Sequence, residues 1–347
     1  MKTAKIVLST IKLLGASLIL GAPATVMAAG LDKNTIVVTG ARVPVPISQI
    51  GGAFTLISQE DLRANQSPLP VDIFRQVPGL AVSQSGGIGQ LSQVRMRGAE
   101  GTHTLVLIDG VEANDPIFNG EFDFGFLTST GIERIEVLRG AQSALYGSDS
   151  IGGVINIITR SGSDGFSAYG RMEGGSFGTV NTQAGLSGGT ELYSATFDAG
   201  YFRTDGINIS RFGDEKDGSE NVSFNFKGRA EPAQNLRLDA MLRYTDGKTE
   251  FDNQDFAFPP TPTNGLVIDS DSEERAEQLF AHLGARLGLF DDVWVQRASV
   301  GFTDTKRQTL EEGDRIALRE GERLKLTYQS TLNLRTPELG ADHIFTA

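Results

Sequence analysis

The chain has no cysteine in 347 residues. That single absence removes disulfide scaffolding, thiolate nucleophiles and cysteine-based metal sites together, so the fold must rest on packing and backbone pairing. Histidine is almost as scarce: His103, His282 and His343 stand far apart, with no His-x-x-x-His pair. "GGIGQLS" lacks the lysine that a phosphate loop needs, so catalysis finds little support. A surplus of positive charge is also missing. The formal net charge is −12 and no basic patch stands out, which disfavours nucleic acid as a partner. After residue 30 there is no long apolar run, and the mean hydropathy is −0.14; a helical membrane protein is thereby excluded.

What is present begins with a leader. Lys2 and Lys5 form a basic start, Leu13 to Ala24 is mostly apolar, and Val26-Met27-Ala28 offers a cleavage site near Ala28 or Ala29. This is the pattern of a secretory signal over residues 1–29, and its apolar core is shorter than the ~20 residues that span a bilayer. Export implies an envelope or secreted protein.

Two regions with different patterning follow. From Asn34 to about Ser161, short apolar runs alternate with turn residues in a mixed α/β composition. "VDIFRQVPGL" carries Val71, Phe74 and Val77 at helical spacing and stops at Pro78-Gly79. "HTLVLIDGV" reads as a buried strand ending in an Asp109-Gly110 turn. "GIERIEVLRG" follows, with Ile132, Ile135 and Val137 as its apolar positions, and "GGVINIITR" supplies a last strand. Past Ser163 the period becomes two. Tyr193, Ala195, Phe197, Ala199 and Tyr201 oppose Ser194, Thr196 and Asp198; Leu238, Leu242 and Tyr244 oppose Arg237, Asp239 and Arg243; Leu324, Leu326 and Tyr328 oppose Lys325, Thr327 and Gln329. Short turns ("SGGT", "EPAQN", "FDD") alternate with long polar excursions over Thr204–Glu220, Gly247–Glu274 and Thr305–Glu320. Short turns at one end and long loops at the other, with one greasy face, mark an outer-membrane β-barrel rather than a soluble sandwich. Eight strands from Phe166 and a ninth near His343 are expected.

The motifs "TIVVTGAR", "RQVPGLAVSQSGG", "RMRGAEGTHTLVLIDGV" and "IERIEVLRGAQSALYGSDSIGGVINIIT" occur in this order. With them, the chain resembles the N-terminal part of the TonB-dependent outer-membrane receptors. "GGIGQLSQVRMRGAEGTHTLVLIDGV" is most similar to the vitamin B12 transporters of that family. The resemblance implies a fold class of an α+β plug domain followed by an antiparallel transmembrane β-barrel. The expected domains are a TonB box at 34–42, a plug at 43–162 and the opening strands of the barrel at 163–347. It also implies location in the bacterial outer membrane.

A β-prone segment outside any sheet offers unpaired N–H and C=O groups to a partner strand. The resemblance assigns this role to Thr35, Ile36, Val37, Val38, Thr39, Gly40 and Ala41, which the inner-membrane-anchored TonB protein would bind. Pro44 and Pro46 would end the strand; a first edge strand of the plug is the alternative. Carried over by position, ligand contacts fall on Leu91, Gln93, Glu100, Phe118 and Asn119. Phe118, Phe122, Phe124 and Phe126 could stack on a planar ligand or pack within the plug. Arg95, Arg97, Glu133, Arg134, Glu136 and Arg139 are expected to pair with lumen residues such as Arg237 and Asp239 through wet, exchangeable contacts. Asp214, Glu215, Asp217, Asp246, Asp252 and Asp255 gather oxygen enough for Ca²⁺ in the external loops, as the B12 transporters do, although without EF-hand spacing.

The expected function is TonB-driven uptake of a scarce nutrient, a corrinoid first, a ferric siderophore or haem as alternatives, with an adhesin or outer-membrane enzyme as the non-transport reading. Eight or nine strands cannot enclose a plug of ~120 residues, since plugged transporters have about 22. The sequence therefore reads as an incomplete barrel with an open edge, which should not insert alone.

Overall fold

The structure, a computed structural model, describes residues 36–37, 45–117, 120–336 and 341–346. The expected leader lies outside the described residues. Two bodies of secondary structure follow one another along the chain and nest together.

The first is built from β1 (Ile36–Val37), β2 (Val45–Pro46), β3 (Ala53–Ser58), α1 (Gln59–Asn65), α2 (Val71–Phe74), β4 (Leu80–Gln84), β5 (Ser92–Met96), β6 (Thr104–Ile108), β7 (Val111–Glu112), β8 (Ile132–Arg139), α3 (Ser143–Tyr146) and β9 (Gly153–Thr159). Five strands form one sheet in the order β3-β8-β9-β6-β7, with β6 and β9 parallel and the other pairs antiparallel. Asp109 and Gly110 both take positive φ between β6 and β7, which closes a two-residue hairpin of the type Asp-Gly favours. The helix of "VDIF" is a single turn. The preceding α1 is capped by a reciprocal Ser58–Asp61 box, a signal that "SQED" carries in the sequence. One face of the sheet buries Ile57, Phe74, Val106, Ile135, Val137 and Ile155. Phe122 and Phe124 join them, with Phe124 edge-on to both Phe74 and Phe122. Packing inside the plug is therefore the use of this aromatic cluster; Phe118 lies outside the described residues.

The second body is a meander of β10 (Gly165–Gly174), β11 (Val180–Gly189), β12 (Tyr193–Ile207), β13 (Asp217–Ala233), β14 (Leu236–Gln254), β15 (Val267–Leu289), β16 (Trp294–Glu311), β17 (Asp314–Thr336) and β18 (Ala341–Thr346). Each strand pairs antiparallel with its sequence neighbours in a nine-stranded sheet. Burial along these strands is inverted relative to a water-soluble sheet. Phe197 is 46% exposed while its neighbour Asp198 is 1% exposed, and Leu326, Tyr328 and Leu283 stand outward while Ser223, Asn225 and Thr245 are covered. Apolar side chains face out to lipid and polar ones face in.

The turns after β11, β13 and β15 are short, whereas 208–216 and 255–266 connect β12 to β13 and β14 to β15 at the opposite end. That asymmetry sets the short-turn end toward the periplasm and the other toward the exterior. The three long excursions expected from sequence are a correction: most of their residues extend the strands, and β16 and β17 meet through Glu312-Gly313 alone. About ten tilted residues cross a bilayer, so 23-residue strands such as β15 and β17 rise beyond it. There both faces meet water, and the alternation that betrays a strand is lost.

The plug lies against the polar inner face of this wall. Met241 and Phe280 from the wall enter its apolar core. The wall also carries two notches where a glycine faces plug side chains: a Cβ at Gly200 would lie 2.0 Å from Thr130 Oγ1, and one at Gly247 would lie 2.2 Å from the Phe126 ring.

Candidate functional site

Three regions carry chemistry: the outward tip of the plug, the seam between plug and wall, and the acidic external loops.

The tip is the hairpin between β4 and β5, closed by Ser85 N donating to Leu91 O at 3.0 Å. It reaches the exterior half of the wall, where Gln90 Nε2 donates to Glu250 O at 3.3 Å and Thr249 Oγ1 to Ile88 O at 3.3 Å. Below it, Ser92 N donates to Asp123 Oδ1 and Gln93 Nε2 to Glu121 Oε2, at 2.9 and 2.5 Å. Arg95 Nε lies 3.5 Å from Glu100 Oε2. Of the expected ligand residues, Gln93 and Glu100 thus flank one cluster with Arg95, and Leu91 stands half-buried at the hairpin's foot. Phe118 and Asn119 lie outside the described residues. Glu121 is a member of the cluster that sequence reasoning misses. Its second oxygen is buried without a hydrogen bond among the described residues, and burial raises its pKa against the opposing pull of Gln93 and Arg95. No sequence pattern marks it, because its partner Gln93 is 28 residues away.

The seam differs from its expected form. Arg134 pairs with Glu133 and Glu136 at 2.9 and 3.0 Å, and Arg139 donates to Thr55 Oγ1 at 3.0 Å. These β8 charges have partners within the plug, Arg134 on β8 itself and Arg139 on the neighbouring β3. Asp239 pairs with His282 of the wall at 2.9 Å. Other residues bridge the two bodies. Lys227 Nζ meets Asp109 at 2.7 Å; Lys325 and Arg323 meet Glu112 at 2.8 and 3.2 Å. Arg307 lies within 2.9 Å of Asp123 and 2.7 Å of Glu274, with Asp115 at 3.5 Å. Arg243 Nη1 donates to Asn225 Oδ1 at 2.6 Å and to Thr130 O at 3.1 Å, and its Nη2 to Thr128 O at 3.4 Å. Arg243 and Arg307 are both buried, so their contacts are dry and far costlier to break than surface pairs, whereas Lys325 is half-exposed and its pair with Glu112 keeps the wet form expected.

In the loops, carboxylate oxygens of Glu215, Asp252 and Asp269 lie within 4.8 Å of one another, close enough to share one cation. Burial and the carboxylates of Asp271, Asp269, Asp252 and Glu250 raise the pKa of Glu215. The structure brings together two of the six expected acids and adds Asp269. Asp217 is close by, accepting from Ile209 N at 3.2 Å, and Asp214 stands outside the triad. Asp246 faces outward, opposite Glu277 in the ladder. Asp255 is occupied by Thr263 Oγ1 at 2.7 Å, Thr261 Oγ1 and Ala257 N.

Of the N-terminal segment, Ile36–Val37 forms a two-residue ladder with Val45–Pro46, separate from the plug sheet. Thr35 and Val38 to Ala41 lie outside the described residues. A ladder so short offers little resistance to exchange for another strand.

Comparison with known proteins adds the following. The family model described as TonB-dependent Receptor Plug Domain matches residues 46–154. The chain is 33% identical over 247 residues to the vitamin B12 transporter BtuB of Photobacterium profundum, covering 67% of this chain and 38% of that protein. Among solved structures, a mutant ferric enterobactin receptor of Pseudomonas aeruginosa in complex with enterobactin is similar at TM-score 0.62 and 19% identity, over 85% of this chain and 48% of that one. The ferripyoverdine receptor of the same organism is similar at TM-score 0.68 and 16% identity, over 90% and 43%. The chain thus spans two fifths to one half of the length of these relatives, and at such identities the structures speak for the fold.

Proposed function

Residues 46–154 are the plug of a TonB-dependent receptor and the chain belongs to that outer-membrane family; on that footing we propose that the whole protein takes up a corrinoid across the outer membrane, driven by TonB. The observation that carries the corrinoid reading is the 33% identity with a vitamin B12 transporter over 247 residues. The similar solved structures are siderophore receptors, which makes a ferric siderophore the second reading. The family is one of receptors and transporters, and the site offers binding groups.

In this reading the ligand settles on the tip, against Leu91, Gln93, Glu100 and the 118–119 loop. Glu215, Asp252 and Asp269 hold a calcium ion that stiffens the loops above it. TonB takes the Thr35–Ala41 segment as an added strand, displacing β2 from β1, and its pull opens a path past the plug.

The test is calorimetric titration of the full-length protein in detergent with cyanocobalamin, with calcium and with chelator. Tight binding that weakens in chelator is expected. Binding of a ferric siderophore in place of cyanocobalamin would move the assignment to the second reading.

A further inference from the structure

The tip is not the only place where the fold leaves room for a ligand. A cavity of about 470 Å³ lies on the other side of the plug, between its sheet and the periplasmic half of the wall. Leu105, Leu107 and Ile158 give it an apolar floor, and Met241, Ser299 and Thr327 line the wall opposite. The cavity is open on one side, and polar and charged side chains outnumber the apolar ones along its lining; a concave site of this size with convergent polar groups has room for part of a polar small molecule.

Its charges are unequal in their partners. Lys227 is held by Asp109, Lys325 by Glu112, and Arg134 by Glu133 and Glu136. Asp239, the carboxylate nearest in sequence to Arg237, is turned to His282 at 2.9 Å. Arg237, itself exposed, is thus the lining arginine or lysine that has no ion pair within 4.0 Å among the described residues. From the plug side the cavity is lined by Asn156, 3% exposed, whose Oδ1 makes no hydrogen bond among the described residues. A planar guanidinium with free donors selects an oxyanion, and an unsatisfied buried carbonyl selects an N–H donor.

We propose that this cavity is an inner subsite for the transported ligand, where Arg237 binds an oxyanion of the ligand and Asn156 receives one of its amides. The inference rests on the uptake function proposed above and deepens it. A ligand bearing primary amides and one phosphodiester, as corrinoids do, meets both groups. The site accepts the nucleotide-sized arm of such a molecule after it leaves the tip, and lowers the chance of its return to the exterior.

The test uses full-length protein in outer-membrane vesicles and in energised cells, with cyanocobalamin and with dicyanocobinamide, a corrinoid that lacks the phosphodiester. Arg237→Gln should leave the tight phase of calorimetric binding, which reads the tip, unchanged for both ligands, since Arg237 is remote from the tip. It should lower TonB-driven uptake of cyanocobalamin about tenfold, as loss of a charge-assisted hydrogen bond implies, and leave uptake of dicyanocobinamide within about twofold. Arg237→Lys should restore part of the loss. Equal loss for both ligands, no loss for either, or loss of binding itself each overturns the subsite. If the unaltered protein binds neither corrinoid, the uptake reading fails separately, and the subsite is judged with inorganic phosphate alone. Phosphorus NMR line broadening that disappears in Arg237→Gln then supports it, and broadening that persists overturns it.

Discussion

Arg243 shows what one side chain contributes to the seam. It is fully covered, carries its charge into the contact between plug and wall, and directs its donors to two backbone carbonyls and one side-chain amide. Arg243→Met keeps the volume but leaves Thr128 O and Asn225 Oδ1 without that donor, while Thr130 O still accepts from Asn225 Nδ2 at 3.0 Å; unmet buried acceptors cost about 1–3 kcal/mol each. We expect the variant's plug to unfold at lower denaturant concentration, by about 2–4 kcal/mol in total, with the barrel unaffected. Unchanged plug protection in hydrogen exchange would show that the carbonyls find other donors. The sequence places Arg243 on the polar face of its strand, because the period of two is unambiguous there. It does not reveal the partner, which lies 113 residues earlier. The charges on β8 are subject to the same limit: they are visible in the sequence, but their partners are plug residues and not the lumen residues expected. A residue's face is a local property and its partner is a tertiary one.

At the scale of elements, the N-terminal segment and the loops make separate predictions. Proline at Val38 removes one backbone donor from a strand of the Thr35–Ala41 segment. We expect Val38→Pro to abolish energised uptake while calorimetric ligand binding stays intact; uptake at the normal rate would show that TonB does not pair there. The acidic triad predicts a dependence on pH. The carboxyl of Glu215 titrates above its ordinary range in the folded loop, so its ionisation opposes the folded arrangement. That cost is present at neutral pH and is relieved as pH falls through the raised value. In chelator, amide exchange in 208–216, corrected for intrinsic rates, should slow between pH 7 and about pH 5. Calcium at pH 7 should slow it as well, by supplying the missing positive charge. No effect of calcium would remove the cation from the account. The strands are legible wherever one face meets lipid, and the ladder's order and number follow from that pattern. Their outer ends are not, because a strand with water on both faces reads as a loop.

Over the whole molecule, the inverted sheet fixes where the bilayer lies. Trp294, the sole tryptophan, points outward near the short-turn end and donates from Nε1 to Ser330 Oγ at 2.8 Å. Tryptophan favours the boundary between headgroups and acyl chains. In the full-length protein with any other tryptophan replaced by phenylalanine, its fluorescence in bilayers should be quenched most by lipids brominated near the headgroup, and should not respond to ligand at the tip. Strong quenching by aqueous iodide alone would place this end of the wall outside the membrane.

The two glycine notches bear on assembly. A strand paired one residue out of register turns its entire charged face toward lipid, yet each such ladder still satisfies its backbone bonds. At Gly200 and Gly247 a slip brings a side chain to the place where Thr130 or Phe126 must enter. The plug then cannot seat. It serves the growing wall as a gauge, tight at two stations on separate strands, and a mispaired sheet is rejected by poor fit inside as well as by its charges outside.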